Sequence, residues 1–168
     1  GSAMRISDRT NWAGNPIDDN YAKQRQRNEP LVEITQIKGT SDTHPLLSPN
    51  DEWADFEITP FRVATKLYSE PAGSYVRDAY LRGLQLQAGG VINPYKFGLI
   101  GATDSHTSLS TSEENNFFGK HTGYEPSPER LSHPFVKTEN GEIFAWQMVA
   151  SGITAVYAKE NTRASLFD

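Results

Sequence analysis

The stretch GSYVRDAYLRGLQLQAGG, Gly73 to Gly90, decides the fold class. Val76, Ala79, Tyr80, Gly83, Leu84 and Gln87 recur at helical spacing, Ser74 offers a capping hydroxyl, and Gly89-Gly90 supplies a left-handed exit. This is the strongest helix signal in the chain. Upstream lies LVEITQIKG, Leu31 to Gly39, rich in β-branched residues and alternating. Val32, Ile34 and Gln36 share one face, and Leu31, Glu33, Thr35 and Ile37 share the other. Downstream, FGLIGATDSHTS (Phe97 to Ser108) contains a short apolar run, read as a strand over Lys96 to Ala102. Strand, helix, strand in that order predicts α/β architecture with parallel pairing.

Working outward, residues 5 to 30 form a polar lead-in with a short helix expected around Ala22 to Arg27, stopped by Pro30. Between Thr40 and Ala72, prolines at 45, 49, 60 and 71 break any period. Within that region SPNDEWADFEI predicts one acidic helical turn capped by Ser48. Thr107 to Asn140 shows little periodicity and reads as a long loop, of a length expected in a compact domain only where it is functional or ordered by a partner. IFAWQMVASGITAVYAKE holds two apolar runs, and the second, Ile153 to Ala158, is strand-like. NTRASLFD starts a helix at Asn161 or Thr162 and stops after Leu166 and Phe167, which reads as a cut. With few strands for a parallel sheet, the expectation is a partial α/β domain spanning residues 5–168, after an expression-tag remnant at 1–4.

The 168 residues suffice for one domain with a sizeable core. A mean hydropathy of −0.60 is low, yet 18 aromatic residues (3 Trp, 7 Tyr, 8 Phe) argue for a folded body with long polar loops. The net charge of −5 and scattered basic residues argue against a nucleic-acid partner. No apolar run approaches the roughly 20 residues a membrane-spanning helix needs. Cysteine is absent, which excludes disulfides, thiolate metal sites and a cysteine nucleophile but does not fix the compartment. Any metal must be held by oxygen or by the four histidines, His44, His106, His121 and His133.

Asp104-Ser105-His106 places an acid and an imidazole at i and i+2 beyond an apolar strand. In an extended segment those side chains share a side, so a carboxylate oxygen and a ring nitrogen reach the same ion. Sites in α/β folds gather at the carboxyl ends of strands, which favours this position. The plainer alternative is an Asx turn at Asp104 with His106 partly exposed beside it.

Several segments together carry a resemblance to a known family. EPLVEITQIKGTSDTHPLLSPNDEWADFE, GSYVRDAYLRGL, NPYKFGLIGATDSHT, EENNFFGKH and SGITAVYAKENTRASLFD resemble the C-terminal part of the domain of unknown function 3604 family, in that family's order. The family is similar to the PHP (polymerase and histidinol phosphatase) superfamily of metal-dependent phosphoesterases. The resemblance implies a partial PHP-like distorted α/β barrel, a divalent metal (Zn, Mn or Fe) and a small phosphorylated substrate for the intact protein. It implies Asp104 and His106 as metal ligands, matching a strand-end Asp-x-His, and Glu33 as a metal-bridging acid. The N-terminal His-x-His of such sites has no counterpart in this chain. The expectation is therefore weak metal binding and a chain inactive by itself.

Three further residues are site-lining candidates: His44 after the strand carrying Glu33, and Glu113 and His121 in the long loop. Ordinary loop roles compete for each, and His133 reads as surface. Asp51, Glu52, Asp55 and Glu57 lack the spacing and central glycine of an EF-hand loop. No nucleophile elbow, phosphate loop or dinucleotide fingerprint is present. A non-enzymatic alternative is a binding or assembly module, self-associating as a homodimer through exposed sheet edges.

Overall fold

A computed structural model describes residues 9–36, 39–56, 58–62, 65–102, 104–106, 127–147 and 153–167. The first helix, α1 (Asp19–Asn28), begins earlier than expected because the Asp18 carboxylate accepts the Tyr21 N–H at 2.8 Å. Ala22 is its single buried residue, so polar contacts tie it down. Asp19 accepts the Ile92 N–H, Gln26 donates to the Asn93 carbonyl, and the Arg25 guanidinium lies 4.9 Å from the centre of the Tyr95 ring.

Strand β1 (Leu31–Gln36) follows, and Gly39, at φ 107°, starts a two-residue return strand, β2 (Gly39–Thr40). Helix α2 (Val76–Ala88) then crosses to β3 (Gly98–Gly101). The sheet order is β2-β1-β3, with β1 and β3 parallel, as the strand–helix–strand reading requires. Leu31 lies opposite Gly98 and Glu33 opposite Ile100, and a bulge then brings Thr35 against Gly101. The expected strand from Lys96 is shorter, because Phe97 belongs to the layer that packs on α2.

That layer is Val76, Ala79, Tyr95 and Phe97, flanked by Val32, Tyr80 and Leu86. The buried face of α2 continues through Gly83 and Leu86, whereas Leu84 is 60% exposed, correcting the expected Leu84–Gln87 face. Ser74 does not cap the helix. Tyr75 occupies the cap position with no side-chain bond, and the first amides, of Val76 and Arg77, donate to the Ser41 and Asp42 carbonyls at 2.9 and 3.1 Å. The glycine exit is as expected, with Gly90 at φ 88°.

Three other expectations need correction. Within the expected acidic helical turn, residues 48–56 form successive hydrogen-bonded turns, and the Ser48 hydroxyl is engaged by Thr43 Oγ1 at 2.7 Å and caps no helix. Part of the expected long loop is a hairpin, β4 (Pro134–Thr138) and β5 (Gly141–Phe144), whose Val136 and Ile143 bury against Phe61. The strand-like run at Ile153 is not a strand. Ile153, Val156 and Tyr157 are exposed there, although the Thr154 hydroxyl donates to the Gly101 carbonyl at 2.9 Å. Helix α3 (Arg163–Phe167) is capped by Thr162, whose hydroxyl accepts the Ser165 N–H. The described strands form no closed barrel.

Candidate metal centre

Asp104 and His106 follow the carboxyl end of β3. Asp104 adopts φ 49°, the left-handed region that Asp tolerates better than most residues. Asp104 and His106 therefore meet across a left-handed residue and not through the alternation of an extended segment. His106 Nε2 lies 3.4 Å from Asp104 Oδ1, with the imidazole 52% and the carboxylate 28% exposed. Both are reachable from solvent.

That separation bears on metal binding. Imidazole nitrogen and carboxylate oxygen bind zinc at about 2.0–2.2 Å, so a tetrahedral angle at the ion spaces the two donors by about 3.4 Å. The pair has the bite of two ligands to one ion. Among the described residues no three His, Asp or Glu side chains form a metal-holding group, so the donor set in view is two. Glu33 is half-buried on β1, one residue pair below the end of the parallel ladder. Because Val32 packs on α2, strand alternation turns Glu33 to the other face of the sheet.

His44 packs against the fully buried Tyr75, with ring centroids 5.6 Å apart and planes tilted at 51°. Its Nδ1 accepts the Leu46 N–H at 3.2 Å, which places the proton of the neutral ring on Nε2. Desolvation lowers the His44 pKa, and burial raises that of Tyr75. The Tyr75 hydroxyl has no hydrogen-bond partner among the described residues. His133 is half-buried, its N–H donating to the Glu129 carbonyl. Glu113 and His121 lie outside the described residues.

Residues 2–168 match the family described as protein of unknown function, DUF3604. The chain belongs to this family. No curated protein and no solved structure matches it. Within this DUF3604 chain the sequence reading passed over one arrangement, the Arg77 guanidinium held between Asp42 and Asp51 beside Trp53. Its signal was an arginine in the first turn of the best helix, with unassigned acids in the preceding loop.

Proposed function

We propose that this chain is part of a PHP-like, divalent-metal-dependent phosphoester hydrolase, with Asp104 and His106 as two ligands to one ion. The carrying observation is the 3.4 Å spacing of His106 Nε2 and Asp104 Oδ1 beyond the end of a parallel strand. Imidazole and carboxylate suit Zn, Mn or Fe, and the bound ion supplies Lewis-acid charge at a phosphoryl oxygen. Asp104 contributes negative charge to the site, and the exposure of both side chains leaves it open to a small phosphorylated substrate. Glu33, on the neighbouring strand, is the acid proposed to join them. Two donors from this chain leave most of the coordination to water, so affinity is weak and turnover by the isolated chain negligible.

Calorimetric titration of Zn²⁺ and Mn²⁺ into metal-stripped protein tests this reading. Saturable binding is expected, and it should vanish in the Asp104→Asn/His106→Ala variant, whose circular dichroism stays unchanged. Asparagine retains the tolerance for the left-handed backbone while removing the charge. Binding that survives in the variant, or no heat above dilution in the parent, overturns the assignment.

A further inference from the structure

On the β2 side of the sheet, away from β3, a cavity of about 310 Å³ opens beside the start of α2. Thr40, Asp42, Thr43, Trp53, Phe56 and Arg77 line it. The volume falls at the small end of the range for ligand pockets, about 300–1,000 Å³. Two of its walls are unusual for a solvent-facing loop. Trp53 is 72% exposed and Phe56 64%, so two aromatic rings are offered where burial would ordinarily hide them.

The charges around the cavity select the sign of its ligand. Among the described residues Arg77 is the single cation lining it, and its guanidinium is already committed. Nε and Nη2 donate to Asp42 at 3.1 and 2.5 Å, and Nη1 donates to Asp51 Oδ2 at 2.5 Å. An incoming anion would have to displace one of these carboxylates. Two carboxylates on one guanidinium leave a net negative charge, and Glu52 and Asp55 flank Trp53 on the same run of turns. Asp51 also fixes the indole's backbone, since its Oδ1 accepts the Trp53 N–H at 3.0 Å. Those bonds keep Asp51 ionised, its pKa lowered by the Trp53 N–H and by Arg77. The face of an indole ring carries negative potential and attracts a desolvated cation.

We propose that this cavity is a binding site for a small organic ammonium ligand, seated on Trp53 and Phe56 and drawn by the surplus carboxylate charge. The site shares no lining residue with the Asp104–His106 pair and does not depend on its metal. Arg77 serves as a brace here: it ties Asp42, beside β2, to Asp51, beneath Trp53, and so holds the two walls at a fixed spacing.

The test is an NMR titration of the Trp53 indole N–H, assigned with Trp53→Phe, using choline chloride at constant ionic strength. A saturable shift is expected, with affinity at least about tenfold, or about 1.4 kcal/mol, better than for choline's neutral isostere, in which carbon replaces the ammonium nitrogen. Trp53→Ala should abolish binding without moving the melting temperature, because the side chain is largely exposed. Equal affinity for the neutral isostere would make the cavity merely apolar and overturn the proposal. Tighter binding of a branched carboxylate of the same size, or no saturable shift with choline, would overturn it as well.

Discussion

At single residues, protonation and folding meet most clearly in His44. Its Nδ1 accepts a backbone N–H from Leu46, and desolvation lowers its pKa from the ordinary 6.5. Protonation would turn that acceptor into a donor facing another donor. The unfolded chain, with the ordinary value, takes up the proton first as the pH falls. Stability should therefore decline as pH drops through 6.5 and level off below the folded-state pKa. Melting temperatures measured between about pH 8 and about pH 5 check this against His44→Gln, which keeps an acceptor but cannot titrate. The parent should lose more stability than the variant over that range; parallel profiles would remove His44 as the cause. None of this was visible in SDTHP, because a histidine before proline does not reveal which nitrogen is engaged. The nearness of Asp104 and His106, in contrast, was legible. Spacing at i and i+2 keeps two side chains close in a strand and, here, also with a left-handed residue at Asp104, so the pair survives an incorrect backbone expectation. The left-handed Asp104 was not legible, since the preceding glycine and apolar run signal only where the strand ends.

Among the elements, α2 was readable nearly to the residue and its partner surface was not. Helical spacing identifies the apolar stripe, but the partners across it set how far the stripe extends. Gly83 illustrates this. A Cβ there would lie 2.8 Å from Asn93 Cγ and closer still to Oδ1. Asn93 is 6% exposed, its Oδ1 accepts the Tyr95 N–H at 2.8 Å, and its carbonyl accepts from Gln26 of α1. Helix propensity alone makes Gly→Ala favourable by about 1 kcal/mol. Overpacking costs about 1–3 kcal/mol, and displacing Asn93 sacrifices a hydrogen bond worth about 1 kcal/mol. Gly83→Ala should therefore destabilise the protein by about 1–2 kcal/mol in urea denaturation. The same change made on Asn93→Ala should cost less, giving a measurable coupling between the two positions. A stabilising Gly83→Ala would show that the loop at Asn93 yields freely. The β4–β5 hairpin escaped the sequence reading for a related reason. Its strands carry a proline, charges and aromatics without clean alternation, and their two buried positions acquire meaning only against Phe61.

Across the whole molecule, the parallel β1–β3 pair with its α2 crossover followed from the order of elements, as chain connectivity restricts such units to few arrangements. The apolar run from Ile153 misled because a strand pattern states which side chains want burial, not whether a ladder partner lies alongside. What order and pattern do not supply is how burial is distributed. Among the described residues it falls into two clusters: Val76, Ala79, Tyr95 and Phe97 beneath α2, and Phe61, Val136 and Ile143 beneath the hairpin. They share no buried residue, and the candidate metal pair follows the strand held by the first. Local stability follows local burial, so the two regions should open separately. Phe97 packs against Tyr80, ring centres 5.1 Å apart, and edge-on against Tyr95 at 6.4 Å, and its truncation to alanine should cost about 3–5 kcal/mol in that cluster. Hydrogen exchange read by mass spectrometry should then show Phe97→Ala stripping protection from Leu31–Gln36 and Val76–Ala88 while Pro134–Phe144 keeps its own. Phe61→Ala should do the reverse, leaving the candidate metal pair and its strand intact. If either substitution abolishes protection across both regions at once, the chain unfolds as one cooperative unit, and the hairpin supports the strand that carries Asp104 and His106.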